Sequence, residues 1–114
     1  GPSKGKSLWI QIVERATDEM PERNYFVGTW RSSRCKDPVI MCEDGTWRVV
    51  DGVGRLRMSG TWYLRGNHIV STFDHLAKKF QDVTTVLTIS KDEYVLQEMD
   101  GSKTCFTKIG GQPD

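Results

Sequence analysis

Between residues 55 and 65 the chain alternates strictly. Leu56, Met58, Gly60, Trp62 and Leu64 share one phase; Arg55, Arg57, Ser59, Thr61, Tyr63 and Arg65 share the other. A period of two sends successive side chains to opposite faces of an extended strand, so this stretch can bury one face and wet the other. A helix would scatter the same residues around its circumference. Related phasing recurs after Asn24. Residues 27–34 place Gly28, Trp30 and Ser32 together, and residues 39–42 and 46–50 read as further strands divided by Glu43-Asp44-Gly45. Residues 68–73 bring Ile69 and Phe73 to one side, residues 82–90 put Val83, Leu87 and Ile89 in phase, and residues 93–99 and 103–109 complete the set. Asp51-Gly52, Gly66-Asn67, Lys91-Asp92 and Asp100-Gly101 supply the turns, the last being a strong hairpin signal. Residues 74–81 break the pattern and read as a longer loop or a short helix.

Roughly eight short strands joined by tight turns must run antiparallel. In a chain of 114 residues they form one domain. The expected fold is mainly β: a small antiparallel up-and-down barrel, closed so that no strand edge stays exposed. Residues 7–20 are the helical stretch. Leu8, Trp9, Ile12, Val13, Ala16 and Met20 fall on one face, Ser7 can cap the start and Pro21 stops the end. This helix is expected to cap one end of the barrel, anchored by Trp9. The organisation is then a leader over residues 1–6, beginning with a Gly1-Pro2 tag scar, a domain over 7–109, and a frayed tail over 110–114. No Met follows the scar, which points to a natural chain that starts upstream, through a signal peptide, a lipid anchor or a longer parent protein.

The net charge of +1 identifies no partner, and a generic nucleic-acid binder would be clearly basic. No apolar run approaches the roughly 20 residues that span a bilayer. The spacing from Cys35 to Cys42 is not a zinc-ligand spacing. One disulfide is expected, Cys35–Cys42, with Cys35–Cys105 as the rival. That suits an oxidising compartment, periplasmic or secreted. A cytoplasmic protein with three reduced thiols is the alternative.

Gly28-Thr29-Trp30, Asp44-Gly45-Thr46-Trp47, Gly60-Thr61-Trp62 and Asp100-Gly101 follow one another in that order. In this the sequence resembles the small bacterial lipocalin-like, calycin-type domains over residues 20–109. The resemblance implies that Trp30 closes the barrel floor. It also implies that a basic side chain from the last strand, here Lys108 where the family usually carries Arg, crosses that tryptophan. The chain is shorter than a full lipocalin, so its interior is either a small cavity or filled.

His68 and His75 are the two histidines, with Thr72 and Asp74 close by in sequence. Neighbours on a strand point to opposite faces, so Asp74 and His75 would form a catalytic pair only if the loop bends them together. No catalytic residue, cofactor or metal is expected. Gly52-Val53-Gly54 lacks the lysine and helix of a phosphate-binding loop and reads as a turn. Two binding surfaces emerge from the strand phases. Met58, Trp62, Phe73 and Leu87 would line a pocket for a small apolar ligand. Arg55, Arg57, Tyr63 and Arg65 would form an outer face suited to an acidic protein surface, and less to single-stranded nucleic acid. The expected function is non-catalytic binding of another protein by an exported bacterial protein, of immunity or inhibitor type. The alternative is a carrier of a small apolar ligand in the barrel. A histidine-dependent enzyme comes after both.

Overall fold

The structure, a computed structural model, describes residues 21–111. The helix expected over residues 7–20, the leader before it and the last three residues lie outside that range. After Pro21 a single turn, α1 (Arg23–Phe26), leads into β1 (Gly28–Ser32). Next come β2 (Val39–Met41), β3 (Thr46–Val50), β4 (Leu56–Arg65) and β5 (His68–His75). The set ends with β6 (Lys78–Ile89), β7 (Glu93–Gln97) and β8 (Lys103–Gly110). Every strand pairs antiparallel with the next, and β8 returns to β1, so these eight strands close into an up-and-down barrel. Closure runs through Trp30 opposite Lys108 and Ser32 opposite Phe106. Each backbone edge is thereby paired.

The strands differ in length, and this gives the barrel two unlike ends. At one end lie α1 and the turns at residues 42–45, 66–67 and 90–92. At the other lie residues 33–38, 51–55, 76–77 and 98–102. Phe26, Trp30 and Tyr94 are fully buried near the α1 end, with Trp62, Ile69, Val86 and Leu96 packed in the same cluster. β4, β5 and β6 run past this core and lift the β5–β6 hairpin above the other strands.

Four local expectations are corrected. Residues 74–81 are neither loop nor helix. β5 continues to His75, β6 starts at Lys78, and His75 pairs with Lys78 across a two-residue turn. Leu76 and Ala77 both have positive φ, 53° and 65°, as a type I′ hairpin turn requires. Glycine or asparagine would announce such a turn; leucine and alanine hide it. The phase in β6 is also reversed: Thr84 and Val86 are buried whereas Val83 is exposed. Leu87 is the extra residue of a bulge between Val86, opposite Leu96, and Thr88, opposite Val95. A bulge resets the alternation, which is why Ile89 packs on the core and Leu87 does not share its phase. Another bulge, at Arg57, sets Leu56 opposite Val50 while Met58 stays opposite Val49. Leu56 therefore lies with the outward Val50 and is exposed, although simple alternation places it inside.

The fourth correction concerns the cysteines, all three of which are free. In the β1–β2 hairpin Gly28 faces Met41 and Trp30 faces Val39, so Cys42 falls beyond the α1 end of β1 while Cys35 lies past its other end. Opposite ends of a hairpin cannot satisfy the short Cα separation of a disulfide. Cys105 sits beside Ser33, whose Oγ accepts its N–H at 2.9 Å, and its thiol is free like that of Cys35.

Candidate functional site

Three tryptophans from the repeated Gly-Thr-Trp phrases organise the interior, each by donating its indole N–H to a main-chain carbonyl. Trp30 bonds Phe26 O at 2.8 Å, Trp47 bonds Thr72 O at 3.2 Å and Trp62 bonds Cys42 O at 3.1 Å. A buried indole needs such a partner. Trp30 and Trp62 also carry cations. Lys108 Nζ lies 5.5 Å from the Trp30 ring centre, and the Arg23 guanidinium lies 4.7 Å from that of Trp62 while also binding Glu43 O. Tyr94 meets Trp30 edge-on at 4.6 Å, and Tyr25 donates to Ser90 O and Glu93 O. Burial, then the charge of Asp92, pushes the Tyr25 phenol up to about 12, and burial pushes that of Tyr94 further still. Both stay neutral at physiological pH, Tyr25 as a donor to its two carbonyls. This end of the barrel is sealed.

Above the seal the barrel holds a cavity of about 230 Å³. Trp47, Phe73, Tyr94 and Phe106 give it aromatic walls, and Met41, Met58, Ile69 and Leu96 add aliphatic ones. Phe73 stacks on Phe80 at 5.3 Å and meets Trp47 edge-on at 6.4 Å. Gly60 makes this wall possible. A Cβ there would lie 1.7 Å from Thr72 O and 2.7 Å from the Trp47 indole nitrogen. Polar atoms come from Ser32, Ser71 and Thr84 and from two carboxylates, Asp82 and Glu98. At the mouth Val53, Leu56, Met58, Leu76, Phe80 and Met99 are exposed.

Of the residues expected to line a ligand pocket, Met58 and Phe73 do so. Trp62 belongs to the sealed end beneath Arg23, and Leu87 sits at the β6 bulge. The two acids were missed by the hydrophobic pattern. Asp82 did carry a signal, since two residues before the buried Thr84 it shares the inward phase. Glu98 carried the same signal, two residues after the buried Leu96, although β7 itself ends at Gln97.

The outer-face residues do not form one patch. Arg57 occupies the β4 bulge, Arg55 precedes the strand, and Arg65 lies roughly 26 Å from Arg57 along it. Tyr63 and Arg65 instead line a shallow groove across three strands with His68, Val70, Gln81 and Val83. Val70 is almost fully buried there between Tyr63 and Val83, its register partners. His68 Nδ1 is 3.2 Å from Thr85 Oγ1. His75 is roughly 23 Å further along β5, so the histidines do not meet. Among the described residues no three His, Cys, Asp or Glu side chains gather as a metal site, and no helix is long and apolar enough to cross a membrane. Comparison of the chain with known protein families, with curated proteins and with solved structures found no match.

Proposed function

We propose that this protein is a non-catalytic binding protein of lipocalin-like type whose barrel takes up a small, largely apolar ligand. The observation that carries this is the cavity above the tryptophan floor. Protein interiors are close-packed, with few voids larger than a water molecule. A chain selected only for stability would close such a space with larger side chains, since unfilled apolar volume is costly. Here aromatic walls hold it open, and an exposed apolar rim leads into it. Its volume lies below the roughly 300–1,000 Å³ of sites for drug-sized molecules, so the ligand is small. The lipocalin-like assignment draws on the order of the Gly-x-Trp and Asp-Gly phrases, the closed eight-strand barrel and Lys108 over Trp30. A bacterial origin and an exported location belong to the same proposal, without the disulfide as support.

The test is solvent extraction and mass spectrometry of protein purified from its own cells, beside a Leu96→Trp variant that fills the cavity. A small molecule bound to the parent and absent from the variant is the expected result. An empty parent protein would count against a ligand carrier.

A second reading, a partner protein held on the outer wall as an immunity or inhibitor protein would hold it, is favoured by the Tyr63–Val70–Val83 groove. It combines exposed aromatic and aliphatic surface with Arg65, a composition common at interface centres. Loss of a captured partner on Tyr63→Ala with Arg65→Glu, with the cavity variant unaffected, would establish it over the carrier.

A further inference from the structure

The chemistry of the cavity selects within the class of small apolar ligands. We propose that the occupant carries an ammonium-type cation on its apolar body, and that Asp82 and Glu98 receive this head group. The proposal rests on the cavity being a ligand site.

Among the described residues, the ionisable side chains in the cavity lining are these two acids and the buried Tyr94, with no lysine, arginine or histidine. Lys108, the basic residue of the inward phase of β8, is committed to the Trp30 ring at the floor. Asp82 stands opposite Ser71 on the inner phase of β6, partly buried. Among the described residues its carboxylate has neither a hydrogen-bond donor nor a cation as partner. Glu98 follows β7 directly, and its Oε2 accepts the Thr104 hydroxyl at 2.7 Å, leaving the other oxygen for a ligand. The Val83 N–H points to Met99 Sδ at 3.5 Å, which keeps residues 98–99 running alongside β6. Both carboxylates thus belong to one wall of the cavity.

An apolar ligand filling the space would strip water from these carboxylates and return nothing. A carboxylate-bearing ligand would add like charge. An ammonium group restores charge-assisted hydrogen bonds to both acids. The faces of Trp47, Phe73 and Phe106 attract the same cation. Aromatic walls with carboxylates on one side are therefore complementary to a small amphiphilic amine.

The experiment is isothermal titration with three probes of equal chain length: hexylammonium, hexan-1-ol and hexanoate. Hexylammonium is expected to bind about tenfold or more tightly than hexanol, the worth of one charged hydrogen bond, and hexanoate more weakly than either. Asp82→Asn with Glu98→Gln, which keeps shape and removes charge, should bring hexylammonium to the level of hexanol and leave hexanol unchanged. Retained hexanol binding also reports that the variant is folded. If the double variant does not fold, Asp82→Asn alone decides, because Asp82 supports no other side chain. Equal binding of hexanol and hexylammonium by the parent, or a preference for hexanoate, would overturn the cationic head while leaving the cavity a ligand site. Failure of all three probes to bind would overturn both.

Discussion

The two ends of this barrel use similar residues to opposite effect. At the α1 end, aromatic side chains interlock: Phe26, Trp30 and Tyr94 meet edge to face at 4.6–4.8 Å, and all three are fully buried. The indole N–H groups of Trp30 and Trp62 are matched to carbonyls, and Lys108 and Arg23 lie over those two rings. At the mouth, Phe73 and Phe80 also stack, yet Phe80 is 41% exposed, and Met58 and Leu76 beside it are exposed as well. The inward phase of β4, β5 and β6 continues beyond the height at which shorter neighbours can cover it. Stability is concentrated where every strand is present. Exposed apolar surface appears where only the long strands remain.

The largest contrast should come from truncating an aromatic at each end. Trp30→Ala removes a fully enclosed indole, its bond to Phe26 O and the seat of Lys108. A loss of about 3–5 kcal/mol is expected, a large share of a small domain's stability. Phe80→Ala should cost under about 1 kcal/mol, since its ring is already half in water. Urea unfolding of both variants measures the gap. Similar midpoints would mean that the floor is not the stabilising end.

Gly60 lies between the two ends and tests whether the cavity wall is as tight as the floor. Gly60→Ala puts a methyl group into Thr72 O and the Trp47 indole, both fixed by their mutual hydrogen bond. Overpacking of this kind costs about 1–3 kcal/mol. Trp47 emission should shift as its bond to Thr72 breaks. A variant as stable as the parent, with unchanged emission, would show a wall that yields, and a cavity set by more than these residues.

The contrast between the ends also explains what could be read from the sequence. Period-two alternation specifies a face, and the face was right for Trp30, Trp47, Met58, Trp62 and Phe73. Alternation does not specify height along the barrel axis. Trp62 therefore came out as a pocket residue although it sits below the pocket, and the exposure of Met58 went unseen. Alternation also fails at bulges, where one extra residue inverts everything beyond it. That cost the placement of Leu56, Leu87 and the supposed patch of Arg55, Arg57 and Arg65. Asp82 and Glu98 escaped because polar residues in the inward phase look like solvent-facing ones until the barrel is closed around them.

The hairpin at the mouth offers a smaller effect of opposite sign. Leu76 and Ala77 adopt left-handed backbone angles, a conformation that costs roughly 1–2 kcal/mol for an ordinary L-residue. Leu76→Asn with Ala77→Gly supplies the sequence that a type I′ turn prefers. A gain of about 1 kcal/mol is expected, together with less exposed apolar surface at the rim. Thermal melting measures it. A loss would mean that the leucine itself is held by contacts at the mouth.

The smallest effects are expected at two turns of nearly identical chemistry, one at each end. In Asp44-Gly45-Thr46 the carboxylate accepts the Thr46 N–H at 3.0 Å and its hydroxyl at 2.6 Å; in Asp100-Gly101-Ser102 it accepts the Ser102 N–H at 2.9 Å and its hydroxyl at 2.6 Å. The hydroxyl bond is the main cause holding each carboxyl below its usual range. The folded state therefore favours the charged form. Its contribution is complete above the unfolded carboxylate value of about 4 and disappears as pH falls through the lower folded value. Replacing either aspartate by alanine should lower the melting temperature at neutral pH, with the difference from the parent shrinking below that range. The turns differ in what they support. Gly45 O accepts the Trp62 N–H at 2.8 Å, tying the first turn to the sealed core, whereas the second is joined to Arg34 on the surface. Asp44→Ala should consequently cost more than Asp100→Ala, although the turn hydrogen bonds lost are the same and Asp100→Ala also gives up an exposed ion pair with Arg34, worth little. Equal shifts would mean that these turns act only through their own hydrogen bonds, and that the sealed end does not make its turns cooperative with the core.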